Sequence, residues 1–280
     1  MSAAEAKGFR TAGDVPAELR EDLSAVLLSL ADNKRLLGMR YAEWLLGAPT
    51  LEAGIACSAM AQDEWGHSRI FYAMLKDFEL DPGHLEHERE AGEYLNIELL
   101  DEPPPEWTGL VALNFLLDSA LAVQFESLRD SRFEPLHYKV RKVLEEERFH
   151  YEHGRGWLAR ISETEAGRAA LAAAFAPAWN SCLRWFGAPD GELIGRLADA
   201  GVCDADSNEL RARWLARVGP VVHDAGLDLA ARGADGTWRS NSGPDWSDWD
   251  GARRRSRGGG PNPGTLAAVR GDKNRTMLMD

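Results

Sequence analysis

Apolar residues recur at three- and four-residue intervals along most of the chain up to about residue 227, the period of one helix face. The first such run, AELREDLSAVLLSLADNKRLLGMRYAEWLL, covers 17–46 and stops at Gly47, with Pro49 just beyond it. A second helix is predicted from Thr50, whose hydroxyl suits an N-cap, to about Phe78. DPGH then interrupts the pattern, and residues 81–105 are polar and end in DEPPPE. A third helix is predicted over 106–129 and a fourth from Pro135 to Ile161. An alanine-rich fifth covers 164–186, with Pro177 as a kink point, and two short helices fall near 191–200 and 206–226. Four consecutive helices of about 24 to 30 residues, with no credible strand between them, predict an all-α antiparallel four-helix bundle.

Beyond residue 230 the helical period disappears. GADGTWRSNSGPDWSDWDGARRRSRGGGPNPG is rich in Gly, Ser, Trp and charge. The expected organisation is a helical bundle domain over 1–230, including the additional C-terminal helices, and an irregular extension over 231–280. Trp238, Trp246 and Trp249 are expected to pack back on the bundle as a lid, and the stretch from RRRSRGGG onward to be a mobile, solvated tail.

Composition narrows the function classes. With 280 residues and a net charge of −13, the chain is long enough for a substantial core and too acidic for sequence-independent nucleic-acid binding. No run of 18 apolar residues predicts a membrane span, and the opening MSAAEAKGFR lacks the apolar segment of a signal peptide. Cys57, Cys182 and Cys203 form no CxxC pair, so buried, reduced thiols in a cytoplasmic protein are expected. No flavin, NAD or cysteine-cluster motif is present.

One spacing carries chemistry. Glu64 and His67 on the second helix, and Glu147 and His150 on the fourth, are each three residues apart, so each pair presents a carboxylate and an imidazole to one point. Among seven histidines about one accidental Glu-x-x-His is expected, and Glu134 with His137, split by Pro135, is one. Two matches deep in long helices are far less ordinary, and on facing helices they form the core of a di-iron carboxylate arrangement. Such oxygen and nitrogen donors suit Fe(II) or Mn(II). The third helix places Asp118 inside the apolar ALNFLLDSALAVQF, where an unpaired charge costs several kcal/mol and a nearby cation is the economical explanation. An Asp bonded to a buried Arg or Tyr is the plainer alternative. Glu126, eight residues on, lies about 80° round the helix and is a weaker candidate. Asp63, next to Glu64, is a candidate partner for a ligating histidine. On the first helix Asp32 and Glu43 are available carboxylates, but neither shares a face with the stripe Lys34, Gly38, Tyr41. Tyr41 could line a cavity near the site.

These motifs resemble the phenylacetic-acid catabolic family of ferritin-like proteins, which contains the A-type and C-type chains of the multicomponent phenylacetyl-CoA epoxidase. QDEWGH (62–67) and EERFH (146–150) resemble the metal motifs of the catalytic A-type chain, and FLLDSA (115–120) falls at its third-helix aspartate. APT (48–50), RWFGAPD (184–190) and GTWRSNSGPDW (236–246) are also similar, and the likeness covers most of 25–250. LADNKRLLGMRYAEWL (30–45) looks more like the C-type chain, a structural scaffold of similar fold without the metal site. The first-helix glutamate of the A-type chain falls on Lys34.

The resemblance implies an enzyme, an oxygenase in which iron held by Glu64, His67, Asp118, Glu147 and His150 activates O₂ toward an organic substrate, an aromatic or acyl CoA thioester. Glu64, Glu147 and Asp118 would be the residues closest to the chemistry. It implies a separate reductase and an oligomer, formed with copies of itself or with a related helical chain. Lys34 leaves three arrangements open: two metals, with Asp32 or Glu43 supplying the missing carboxylate; one metal with Lys34 beside it; or a scaffold that kept its motifs. A ferroxidase or peroxide scavenger of the same fold is a further alternative.

Overall fold

The computed structural model describes residues 8–271 and bears out the all-α reading. Helices α1 (Ala17–Glu43) and α2 (Leu51–Leu75) form a tight antiparallel pair. Thr50 caps α2, its hydroxyl accepting from the Ala53 amide at 3.2 Å. At Gly54 a Cβ would stand 2.4 Å from the Leu45 carbonyl, so the close return of the chain at this corner depends on glycine.

Between the second and third long helices the polar segment carries a single short α-helix, α3 (Pro82–His87), capped by Asp81. The third long helix is not uniform. It consists of α4 (Trp107–Ala112), a π-helical turn (Leu113–Leu117) and α5 (Asp118–Ser127), where the sequence pattern predicted one regular helix. Wide turns of this kind occur frequently at functional sites. Inside this one, the Trp214 indole donates to the Leu116 carbonyl at 3.0 Å, and Asn114 Nδ2 donates to the Tyr41 hydroxyl at 2.9 Å. Helix α6 (Leu136–Ile161) completes the bundle. Its interior is filled by residues such as Leu27, Leu30, Phe71, Phe115, Phe125 and Val143, all fully buried, with the Phe71 and Phe125 rings stacked at 5.0 Å. The apolar helical stretch Trp107–Ser127 is mostly buried, which accounts for its hydrophobicity.

Helices α7 (Glu165–Trp185), α8 (Glu192–Asp199) and α9 (Ser207–Asp224) pack outside the bundle. α7 continues through Pro177, and the Trp179 ring lies 4.7 Å from that of Trp214 on α9.

The extension begins as an antiparallel hairpin, β1 (Ala230–Arg232) with β2 (Trp238–Ser240), so residue 230 lies inside a paired element. Trp238 covers α9, where a Cβ on Gly219 would meet the indole at 3.0 Å. The expected packing on the bundle is thus replaced at Trp238 by packing on α9, while the Trp246 and Trp249 rings lie 5.3 Å apart against Arg211 and Arg184.

The expectation of a mobile tail from Arg253 onward is corrected as far as Gly271. A second small hairpin, β3 (Trp249–Asp250) with β4 (Arg255–Ser256), and helix α10 (Pro263–Arg270) pack on the bundle. The arginines that suggested solvation have partners far upstream in the chain. Arg254 stacks on Trp185 at 4.2 Å and donates to the Trp185 carbonyl at 2.8 Å; Arg255 pairs with Asp101. Arg40 of α1 donates to the Thr265 hydroxyl of α10 at 2.7 Å. Residues 272–280, which also belong to the expected tail, lie outside the described residues.

Candidate carboxylate–histidine site

The helical spacing brings both pairs inward. Glu64 and His67 of α2 face Glu147 and His150 of α6 across the bundle, and Asp118 arrives from the first turn after the π segment. All five are buried, none more than 4% exposed. Ligating atoms of Glu64, Asp118, Glu147 and His150 lie within 4.8 Å of one another.

The centre of this cluster is held by Lys34. Its Nζ donates to Asp118 Oδ1 at 2.5 Å, Glu147 Oε1 at 2.6 Å and Glu64 Oε1 at 3.0 Å. An ammonium has three protons, and each finds a carboxylate. Burial alone would lower the Lys34 pKa, but the charges of Asp118, Glu147 and Glu64 together carry it well above the ordinary lysine value. Burial would raise the Asp118 pKa, yet Lys34 and His150 hold it well below the usual aspartate range. Glu64 is pushed up to about 7 by burial and by the nearby Asp118 charge, against the pull of Lys34. The cation that the buried Asp118 called for is thus a side chain of α1. The plainer alternative is also partly met, because the Tyr41 hydroxyl donates to Asp118 Oδ2 at 3.1 Å. Burial and the same Asp118 charge raise the Tyr41 pKa well above its usual value.

The histidines are cross-braced. His150 Nδ1 is 3.0 Å from Asp118 Oδ2, while its Nε2 is 3.4 Å from Asp63 Oδ2. His67 Nδ1 lies 3.2 Å from Glu147 Oε1, and its Nε2 is 2.6 Å from Glu146 Oε2. Each motif therefore supplies an outer carboxylate to the histidine of the other motif. Asp63 stands beside a site histidine, His150. Glu146 was not anticipated, although an acidic residue directly before the inward glutamate in both motifs (DE and EE) was the available signal. Burial opposes protonation of both imidazoles, but hydrogen bonds with the surrounding carboxylates raise both pKa values, that of His150 strongly. The His150 bond in turn lowers the Asp63 pKa.

Three other candidate carboxylates lie elsewhere. Asp32 points away from the cluster into a separate buried network, pairing with Arg89 and accepting from the Tyr72 hydroxyl at 2.7 Å. Glu43 pairs with Arg40 at 2.6 Å at the far end of α1. Neither supplies the missing first-helix carboxylate, because neither lies on the Lys34–Gly38–Tyr41 face. Glu126 binds Arg217 with both oxygens, at 2.6 and 2.7 Å. That pair lines a cavity of about 330 Å³ between α5, α6 and α9, which also reaches Asp118, Ser119 and Glu147.

Donor chemistry gives a mixed answer for a metal. Carboxylate oxygens and imidazole nitrogens suit Fe(II) or Mn(II), and Glu64 Oε2 lacks a hydrogen-bond partner among the described residues. Glu64, Asp118, Glu147 and His150 stand close enough together to share one ion. A two-metal centre does not fit. Lys34, where the resemblance expects a first-helix glutamate, is a cation with no lone pair and is bonded to all three inward carboxylates.

A bundle of this kind, with Glu-x-x-His pairs on facing helices and an inward aspartate on a third, defines a ferritin-like carboxylate–histidine protein. The family model described as "Phenylacetic acid catabolic protein" matches residues 4–251, and the chain belongs to that family. It is 29% identical over 210 residues to the C component of 1,2-phenylacetyl-CoA epoxidase from Escherichia coli (strain K12), covering 74% of this chain and 84% of that protein. It is 24% identical over 189 residues to the A component of the same epoxidase, covering 66% of this chain and 61% of that one.

Proposed function

We propose that this chain is a component of a multisubunit oxygenase acting on phenylacetyl-CoA or a related aromatic CoA thioester, and that it serves there as the structural partner of a metal-bearing chain. The observation that carries this reading is the Lys34 ammonium bonded to all three inward carboxylates. It accounts for the retention of Glu64, Asp118 and Glu147 without a metal, since each is an acceptor for a buried cation. The separate reductase and substrate chemistry then belong to the assembly.

Co-expression with a partner of the A type tests the proposal. The two chains should elute as one stoichiometric complex, and reductase-driven turnover of phenylacetyl-CoA should require both. The chain alone, reduced chemically and given O₂ with phenylacetyl-CoA or benzoyl-CoA, should form no oxygenated product.

A second reading has one specific support. The unpartnered Glu64 Oε2, with each histidine braced from outside by a carboxylate, suits an enzyme that binds iron or manganese itself. In that reading the metal supplies O₂ activation when bound, Glu64, Asp118, Glu147, His67 and His150 hold it, and the cavity beside Asp118 admits the substrate. It requires stoichiometric metal after anaerobic reconstitution and product from the chain alone.

A further inference from the structure

We infer that Lys34 is an intramolecular substitute for a divalent metal ion, and that Glu64, Asp118, Glu147, His67 and His150 form a latent metal site closed only by its ammonium. The inference rests on the proposed structural role and concerns the same site.

Geometry supports the substitution. The three N–H bonds of Nζ reach one carboxylate oxygen on each of three helices, so the ammonium ties α1 to α2, α5 and α6 from a single point, as a bridging ion would. Lys34 is fully buried, and the Phe125 ring lies 5.7 Å from Nζ. Tyr41, farther along the same helical stripe, fixes the other oxygen of Asp118. Any divalent ion sharing these oxygens would sit roughly 4 Å or less from a fixed positive charge, in a medium that screens poorly.

The site is latent because the rest of a donor set is complete. Both histidines turn Nδ1 inward, and each has its Nε2 fixed by Glu146 or Asp63. Removing the ammonium leaves three buried carboxylates with only the two histidines beside them, an arrangement that favours another cation. Donor atoms of Glu64, Asp118, Glu147 and His150 already lie within 4.8 Å of one another.

Metal content and thermal unfolding of the full chain test this, using Mn²⁺ and Fe²⁺ under anaerobic conditions. Wild type should hold less than about 0.2 ion per chain, with a Tm indifferent to Mn²⁺ or EDTA. The K34A variant should bind at least about one Mn²⁺, visible as a loss of the free-ion electron paramagnetic resonance signal. Its Tm should rise by about 5–10 °C with the ion at about a hundred times its Kd. If K34A unfolds without metal, recovery of the native circular dichroism spectrum on adding Mn²⁺ is the expected result. Stoichiometric metal in wild type, or a K34A protein that binds no ion whether folded or rescued, would overturn the inference. A wild-type chain that is metal-free but fails to join an A-type partner would instead sink the proposed structural role, leaving the substitution intact.

Discussion

His67 Nε2 lies 2.6 Å from Glu146 Oε2, so a histidine of α2 is braced by the residue that precedes the inward glutamate of α6. Glu146 is one-third exposed, which limits the worth of this bond to about 1 kcal/mol. E146A should lower stability by about that amount. Glu147 and Glu64 are the carboxylates that raise the His67 pKa, so in E146A the His67 titration, followed by NMR, should stay above its ordinary value. D63A should act on His150 and leave His67 nearly unmoved.

Stability should fall as pH rises through neutrality. His67 and His150 have folded pKa values above their ordinary 6.5, so their contributions are complete below 6.5 and fade as pH climbs through the folded values. Glu64, raised from 4.5 to about 7, has the same sign: the native chain holds a proton that the unfolded chain releases, and its contribution fades through about pH 7. The urea midpoint should be lower at about pH 8.5 than at about pH 6, with a weaker dependence in H150Q. A resident divalent ion would reverse this trend, because binding requires deprotonated histidines.

The Asp32–Arg89 pair should matter more than its distance from the site suggests. Both side chains are buried, and Asp32 also accepts from the Tyr72 hydroxyl at 2.7 Å and the Leu95 amide at 2.8 Å. R89M leaves that carboxylate uncompensated and should cost about 3–5 kcal/mol in chemical denaturation. Adding D32N should recover a large part of the loss, and the coupling between the two substitutions measures the pair.

Close helix approach beside the site can be tested at Gly154. A Cβ there would stand 2.7 Å from Asn114 Oδ1 and 3.1 Å from Phe115 Cβ. G154A should push α6 off the π turn at a cost of about 1–3 kcal/mol, read as a lower Tm with helical content retained.

The bundle and the inward donors were legible because helical period is local: positions 64, 67, 147 and 150 share faces by counting alone. Asp118 was legible because charge is conspicuous in an apolar run. Lys34 stood out by resemblance as the occupant of a ligand position, but its three partners lie 30, 84 and 113 residues away and no spacing rule connects them. The same limit applies to the arginine-rich segment. RRRSRGGG has the composition of a solvated tail, and only the folded chain brings Trp185, Asp101 and Tyr94 against Arg254, Arg255 and Arg253. Neither period nor composition announces the π turn, since Leu113–Leu117 is almost wholly apolar in either helical form.

That turn sets the phase of everything after it. A π turn accommodates one residue more than a regular turn, so the helix downstream is rotated by about 100° relative to an uninterrupted one. Asp118 is the first residue to inherit the rotation. Deleting a single leucine from 113–117 would let the helix close into ordinary α geometry, with its length and hydrophobicity barely changed. The aspartate would then face a neighbouring sector of the bundle, and Lys34 would lose its shortest partner while every motif in the sequence still read as intact.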